Sequence, residues 1–266
     1  MTSPAPLLEA DALDLLRHGD IELEGMLVDA SNATFRGVIT YEGVVARCVY
    51  KPIRGERPLW DFPYGTLADR EVAAYLISVA TGWGIVPPTV LRDGPLGRGM
   101  CQLWIDEERQ DEPLLGFVSS RKVPAGWRRI VSARDEHGRP YILAHADDPR
   151  LARMAVFDAV ANNADRKGGH VLPTLEGHVY GVDHGVCFHT DDKLRTVLWG
   201  WAGEPLPEEA VETLEKLRGA DLGAALAGHL TAAEVVALGV RTERLLAAGC
   251  FPLPGDGWPA IPWPPV

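Results

Sequence analysis

Two carboxylates that flank a predicted β-hairpin are the residues with the clearest capacity for chemistry. Asp165 follows a predicted helix and lies in a glycine-containing segment, where the backbone can approach a ligand closely. Asp183 ends the hairpin and is followed by His184 and Gly185. Because a hairpin returns the chain to its starting point, we expect the two carboxylates to lie together. Such a pair can orient a hydroxyl group and hold a divalent metal ion, whereas either residue alone could be an ordinary turn residue.

A lysine and a glutamate earlier in the chain would supply the other charges of a phosphate-binding site. Lys51 ends a predicted strand and faces the same side as Val45 and Val49, so its charge is costly there unless it is paired. Glu71, in the first turn of the next predicted helix, is a candidate partner. The alternatives are an exposed lysine at a strand end and a glutamate that stabilises the positive end of a helix.

Transfer of a phosphoryl group from ATP requires residues of these types. A lysine neutralises phosphate charge, an acidic residue holds the lysine, one carboxylate orients the attacking hydroxyl, and further ligands hold metal ions. His170 follows Asp165 closely, and its imidazole can ligate a divalent metal, although it prefers softer ions and could equally be structural. Asp158 lies near the apolar face of its predicted helix and is predicted to bond the backbone around 162–165.

The predicted elements divide into two groups of different character. Strands come first and a mostly helical half follows, which indicates an α+β fold with two lobes and argues against a doubly wound parallel sheet. The strands are predicted at 21–28, 34–40, 44–51 and 99–105, with an extended stretch at 86–90 and a hairpin of 171–172 with 178–182. The helices are predicted at 7–18, 66–80, 149–161, 207–219, 222–229 and 231–248. The segment 106–146 is predicted to consist mainly of loops.

Composition and charge exclude several classes of protein. The 266 residues are 46% hydrophobic and carry a net charge of −11, so the chain can bury a core but is not attracted to nucleic acids or to anionic lipids. No secretory signal and no apolar run of roughly 20 residues is visible, so we expect a cytoplasmic protein without stable membrane insertion. The scattered cysteines argue against a disulfide framework or a zinc site. Nucleophile-elbow and Walker A motifs are absent.

Parts of the chain resemble the phosphatidylinositol 3- and 4-kinases. Residues 163–170 read Asn-Ala-Asp-Arg-Lys-Gly-Gly-His and resemble the catalytic loop of that family, in which Asp-Arg-His is followed by a metal-binding Asn. Residues 182–185 read Val-Asp-His-Gly and resemble its Ile-Asp-Phe-Gly. Residues 50–75 contain Tyr-Lys-Pro, Leu-Trp-Asp-Phe-Pro and Arg-Glu-Val-Ala-Ala-Tyr and resemble an actinobacterial branch labelled phosphatidylinositol kinase-like. HipA-like toxin kinases share the general layout, and the resemblance extends over roughly 25–188.

The resemblance implies a two-lobed protein-kinase-like fold, with an N-lobe of 1–104 and a C-lobe of 105–266. Asp165 would be the catalytic carboxylate. The nucleotide-binding residues would be Ser31 and Asn32 in a phosphate-covering loop, Lys51 on the ATP phosphates, Glu71 as its partner, and Gln102, Leu103, Trp104 and Ile105 in the hinge beside adenine.

The implied metal site departs from the family pattern. His170 and Asp183 would hold Mg²⁺ or Mn²⁺, and manganese is as plausible as magnesium because His170 stands where the family has Asn. His184 replaces the usual Phe after Asp183, and the phosphate-covering loop lacks Gly-x-Gly.

The function these observations favour is ATP- and metal-dependent phosphoryl transfer to a hydroxyl group. The acceptor would be a protein, a small molecule or a phosphoinositide, and the net charge argues against an anionic lipid surface. Two alternatives stay open. One is a nucleotide-binding pseudokinase or regulatory module, which the changed residues at 170 and 184 motivate. The other is transfer of AMP by the same fold.

Overall fold

A five-stranded antiparallel sheet forms the first half of the computed structural model, which describes residues 7–27, 32–106, 113–134, 137–256 and 259–266. The strand order is β1-β2-β3-β5-β4. The strands are β1 (Asp20–Met26), β2 (Phe35–Tyr41), β3 (Val44–Pro52), β4 (Thr89–Gly94) and β5 (Gly97–Leu103). The β-branched residues predicted to form β3 do so, and the predicted extended stretch becomes β4, which pairs with β5 in a hairpin.

Two helices pack on this sheet. Helix α1 (Glu9–His18) contacts β4, and helix α2 (Leu67–Thr81) contacts β4 and β5. Thr66 caps α2 because its side-chain oxygen accepts a hydrogen bond from the Asp69 N–H, and Gly82 ends the helix in the left-handed conformation (φ 70°). These caps fix where α2 begins, and therefore where Glu71 lies relative to the sheet.

The prediction that 106–146 is mainly loop was wrong. Three strands form a second antiparallel sheet of order β6-β8-β7: β6 (Leu115–Ser119), β7 (Trp127–Arg134) and β8 (Pro140–Ala146). The outer strands have no fully buried side chain and β7 carries a bulge between Arg129 and Val131, so their apolar alternation is weak. Only the central strand, β8, buries a continuous run of side chains, 142–145.

The second half of the chain is mostly helical, as predicted. Its helices are α3 (Pro149–Ala161), α4 (Glu208–Gly219), α5 (Leu222–Ala225) and α6 (Ala232–Ala248), and its hairpin is β9 (Val171–Pro173) with β10 (Val179–Gly181). Asp148 caps α3, and Pro149 occupies its first turn. The helix predicted at 222–229 is shorter, because the chain adopts a positive φ at Gly228 (85°) that a helix cannot include.

The larger hydrophobic core lies in this helical half and is centred on α3, whose Leu151, Met154 and Phe157 are fully buried. Together the two halves form an α+β fold with two lobes, as the order of the elements predicted. Within the described ranges, no helix combines the length and the apolar character that crossing a membrane requires.

Buried His145 links the second sheet to the helical half. Its Nε2 accepts a hydrogen bond from the Gly200 N–H (3.1 Å), and its Nδ1 lies 2.8 Å from the Ala146 carbonyl oxygen. Burial lowers the pKa of His145 below its usual value. A proton on Nε2 would remove the bond to Gly200, so the folded protein keeps this imidazole neutral.

We expect this histidine to make the protein less stable in mild acid. Below about pH 6.5 the unfolded chain binds a proton that folded His145 excludes, so the free energy of unfolding falls by up to about 1.4 kcal/mol per pH unit. Urea denaturation at pH 7.5 and pH 5.5 measures this loss, which His145→Gln should reduce. The exposed His18, changed to Gln, is the control. An equal pH dependence in wild type and His145→Gln would contradict the prediction.

Candidate active site

Lys51, Glu71 and Asp183 form one ion cluster between the two lobes. Lys51 lies near the end of β3, Glu71 on α2, and Asp183 just after β10. The Lys51 Nζ donates to Glu71 Oε1 (2.7 Å) and to Asp183 Oδ1 (2.8 Å). The second Glu71 oxygen accepts a hydrogen bond from the His184 backbone N–H (2.9 Å). The structure therefore joins the predicted lysine, its predicted partner and one predicted metal ligand.

The charges in this cluster stabilise one another. Burial by itself lowers the pKa of Lys51, but the carboxylates of Asp183 and Glu71 outweigh burial and raise that pKa above its usual value. The charge of Lys51 in turn holds the pKa of Asp183 well below its usual range. Lys51 is therefore a cation and Asp183 an anion throughout the physiological pH range.

The backbone of Asp183 is in the left-handed region (φ 61°), which few non-glycine residues adopt. Such conformations cost free energy and are concentrated at functional sites. The conformation gives Asp183 a half-exposed carboxylate, whose Oδ2 lies 3.5 Å from His170 Nε2. Burial lowers the pKa of His170, which favours the neutral imidazole that a metal ion requires. Its Nδ1 accepts a hydrogen bond from the Lys167 N–H (3.5 Å), and Nε2 is the nitrogen that faces Asp183.

Asp165 lies in the segment after α3 and faces the same cleft. Its Oδ2 is 3.1 Å from Lys167 Nζ, and its backbone N–H donates to Asn163 Oδ1 (3.0 Å). Asp165 and Asp183 line the same two cavities, of about 410 and 530 Å³, which also contain Lys51 and Lys167. The expected convergence of the two carboxylates is thus present. Sequence analysis did not identify Lys167. Its position two residues after Asp165, a candidate catalytic carboxylate, could have indicated that the two charges pair.

The cavity of about 530 Å³ contains the other predicted nucleotide-binding residues that the structure describes. Asn32, Gln102, Leu103, Trp104 and Ile105 all line it. The buried Gln102 amide donates to Thr89 Oγ1 (2.8 Å), and Asn32 Oδ1 accepts from the Arg57 backbone N–H (2.8 Å). Both side chains are therefore already hydrogen-bonded to other residues of the protein. Ser31 lies outside the described residues.

Arg166 is buried beside the candidate site and bonds several residues that support it. Sequence analysis did not identify this arginine as important. Its guanidinium bonds the Asp158 carboxylate (Nε–Oδ2 2.9 Å, Nη2–Oδ1 2.8 Å) and donates to the Val182 carbonyl oxygen (3.0 Å). Asp158 also accepts from Asn163 Nδ2 (3.0 Å). Asp158 is therefore structural, as predicted, but its carboxylate bonds the side chains of Asn163 and Arg166 and not the loop backbone that was predicted. Arg166 in turn contacts the chain on both sides of Asp183, at the Val182 carbonyl oxygen and the His184 ring. In the sequence, the only indication of a role for Arg166 is its position next to Asp165.

His184 belongs to this support. Its Nε2 lies 2.6 Å from Arg166 Nη2, and because arginine only donates, Nε2 must accept and Nδ1 must carry the proton. Nδ1 is buried with no partner among the described residues. Burial and the charge of Arg166 lower the pKa of His184, so the ring stays neutral. The ring packs edge-on against Phe157, so the change from Phe to His leaves a packing residue at this position.

The segment 259–266 lies against the loop that carries Asp165. The Gly168 N–H donates to the Pro265 carbonyl oxygen (2.8 Å), and the Thr196 N–H donates to the Ala260 carbonyl oxygen (3.0 Å). Trp263, 82% exposed, lines the cavity that contains Asp165. A third cavity, of about 760 Å³, lies beyond Asp61, which lines both. Asp61 therefore lies between the cavity that contains Asp165 and a larger one.

The donor set suits a divalent cation that binds together with phosphate oxygens. No group of three or more His, Cys, Asp or Glu side chains among the described residues is arranged to hold a metal by itself. Magnesium is usually bound by one or two carboxylates together with substrate phosphates. Asp183, with an oxygen facing His170, and Asp165 in the same cavity match that requirement, and the imidazole is also acceptable to manganese.

Comparisons with known proteins confirm the predicted two-lobed, protein-kinase-like fold. No family model matches the chain. Protein Rv2133c of Mycobacterium tuberculosis is 48% identical over 272 residues, which cover 98% of the chain and 97% of that protein. Among solved structures, hydra Fam20 with sugar matches with a TM-score of 0.58 and 15% identity, covering 90% of this chain and 87% of that chain. The Golgi casein kinase with Mn/ADP bound matches with a TM-score of 0.55 and 14% identity, covering 90% and 75% respectively.

Proposed function

Because the chain belongs to the family of the mycobacterial protein Rv2133c and has a protein-kinase-like fold, we propose that it is an ATP- and metal-dependent phosphotransferase. The observation that carries this proposal is the ion cluster of Lys51, Glu71 and Asp183, which faces Asp165 across one cleft. A lysine held by a helix glutamate, beside an aspartate suited to metal binding, is the arrangement that phosphoryl transfer requires. The residue roles follow the phosphatidylinositol 3- and 4-kinase-like pattern.

The nucleotide would occupy the cavity of about 530 Å³. The adenine would lie beside 102–105, and Lys51 would bind the phosphates while Glu71 keeps its ammonium group in place. The two lobes would be 1–104 and 105–266, with the nucleotide between them. The Golgi casein kinase structure contains Mn and ADP, which supports the use of a nucleotide with a divalent ion by this fold.

Asp165 would orient the acceptor hydroxyl and accept its proton. The hydroxyl oxygen forms a bond to the γ-phosphorus as the bond to the β–γ bridging oxygen breaks and ADP leaves. Lys167, 3.1 Å from Asp165, would fix the direction of that carboxylate. A divalent ion held by Asp183 and His170 would neutralise phosphate charge when bound.

The acceptor would approach from the side of Asp61, where the cleft opens into the cavity of about 760 Å³. Its class is a hydroxyl on a protein or a small molecule. A phosphoinositide suits the sequence resemblance, but the net charge of −11 gives no general attraction to an anionic lipid surface. The pseudokinase alternative loses part of its motivation, because His184 packs in the interior instead of facing the nucleotide cavity.

Labelled ATP tests the proposal against its alternatives. Wild type with Mn²⁺ should transfer label from γ-³²P-ATP, and Asp165→Asn should reduce the rate by about a hundredfold while its affinity for ATP is unchanged. Asp93→Asn, at an exposed position near the end of β4, is the control. If label is transferred from α-³²P-ATP and the product gains the mass of an AMP group, the protein transfers AMP and the proposal of phosphoryl transfer is wrong. If the protein binds ATP but transfers no label, the regulatory-module alternative is favoured.

A further inference from the structure

The helix that carries Glu71 is anchored to the opposite lobe by the residues immediately before it. Arg70 is 3% exposed and donates from Nη2 to the Glu234 carboxylate on α6. Its Nη1 donates to the Cys187 carbonyl oxygen (2.7 Å), which lies in the segment after Asp183. One guanidinium therefore ties α2 to two parts of the helical lobe.

A second contact reinforces this anchor. The Asp69 carboxylate lies 3.0 Å from His229 Nδ1, on the connection that precedes α6. Arg70 is also held by the Phe62 ring, with its guanidinium carbon 4.8 Å from the ring centroid, and by the Tyr64 carbonyl oxygen (3.1 Å). The start of α2 is thus fixed on several sides, and the next residue is Glu71.

Glu234 is itself held in one orientation. Its Oε2 accepts from the backbone N–H and the hydroxyl of Thr231 (both 2.8 Å), while Oε1 receives Arg70. Glu234 therefore completes the capping box at the start of α6 and at the same time neutralises a buried cation on α2. A capping box needs only one of the two carboxylate oxygens, and the other is directed to the opposite lobe.

We propose that Arg70 and Glu234 are positioning residues, which hold Glu71 and thereby Lys51 in the geometry that binds ATP. This inference rests on the proposed function for its consequence but on the structure alone for the anchor. If α2 turned or moved away from the helical lobe, Glu71 would leave Lys51 (2.7 Å) and the His184 N–H (2.9 Å) together. Protein kinases require a lysine–glutamate pair for activity, and they control this pair through the position of the helix that carries the glutamate. In this protein, contacts within the fold hold the corresponding helix, α2, in place.

The test measures Lys51 directly in the protein without nucleotide. Acetic anhydride, an amine-reactive reagent, measures how accessible the Lys51 amine is. This amine is bonded to Glu71 and Asp183 and its side chain is 21% exposed, so its modification is slow while the ion cluster is intact. Mass spectrometry of the digested protein gives the rate at Lys51 relative to the exposed Lys216. In Glu234→Gln, which preserves the shape of the side chain but removes its charge, we expect the relative rate to rise by about tenfold, because a helix α2 without its anchor opens the cluster more often.

Two further variants separate positioning from general loss of stability. Glu243→Gln, an exposed change on the same helix, should leave the rate at Lys51 unchanged. Thr242→Ala removes a buried hydrogen bond to the Leu238 carbonyl oxygen within α6 and costs about 1 kcal/mol, but it leaves Glu234 and its partners in place, so it should also leave the rate unchanged. An unchanged rate in Glu234→Gln, or an equal rise in Thr242→Ala, would overturn the proposal.

The nucleotide consequence is measured separately. At a temperature well below unfolding, Glu234→Gln should raise the Kd for ATP with Mn²⁺ by about tenfold, because the charge that faces the phosphates is displaced. A faster modification of Lys51 with an unchanged Kd would overturn the role in ATP binding. If wild type binds no ATP, the proposed function fails, while the modification rates still decide whether Glu234 fixes Lys51.

Discussion

Asp183→Asn should abolish metal-dependent ATP binding and reduce phosphoryl transfer by about a thousandfold. The change removes the negative charge that would hold the metal ion beside the phosphates, which is an electrostatic contribution of several kcal/mol. Asn is the appropriate substitution because Asp183 has a positive φ, which Asn tolerates and which strains Ala. The measurement is the thermal shift produced by ATP with Mn²⁺, together with γ-³²P transfer.

The control for this prediction is the variant without nucleotide. Asp183 is half exposed and Lys51 retains Glu71, so the melting temperature should change little. Asp93→Asn, far from the cleft, should show the full ATP-dependent shift. An undiminished shift in Asp183→Asn would remove this residue from the nucleotide site.

Asp158→Ala should lower the free energy of unfolding by about 3–5 kcal/mol. Both partners of the Asp158–Arg166 pair are fully buried, so removal of the carboxylate leaves the guanidinium charge without its counter-ion. A domain is stabilised by only about 5–15 kcal/mol, so much of its stability would be lost. Equilibrium denaturation in urea measures the change.

The matched control lies on the same helix. Arg153 forms an exposed ion pair with Glu209, and Arg153→Ala should cost less than about 1 kcal/mol. If Asp158→Ala lowers the free energy of unfolding by no more than Arg153→Ala does, Asp158 is not needed to balance the charge of Arg166. Because Arg166 also bonds the chain next to Asp183, we expect Asp158→Ala to reduce phosphoryl transfer as well.

Local signals in the sequence predicted the elements that carry the site. Asp148 and Pro149 marked the start of α3, and Thr66 and Gly82 marked the ends of α2, because caps act over a few residues and leave a trace in the sequence. The hairpin that joins the regions of Asp165 and Asp183 followed from turn residues in the same way.

The second sheet and the support of the site could not be predicted in this way. Strand β7 has little alternation of apolar and polar residues because none of its side chains is fully buried, and a bulge interrupts it. The partners of Arg166 come from distant parts of the sequence, including Asp158 and Val182, and only the folded chain brings them together. The same is true of Arg70 and Glu234, which are 164 residues apart.

The hydrogen bond from the Gly168 N–H to the Pro265 carbonyl oxygen has a practical consequence for labelling experiments. A fluorophore attached at 263–266 would lie beside the loop that carries Asp165, because Val266 is next to Gly168 and Trp263 lines the cavity that contains Asp165. Such a label would obstruct the space in which we propose that phosphoryl transfer takes place. Labels for binding measurements therefore belong on an exposed residue of α4, such as Glu212.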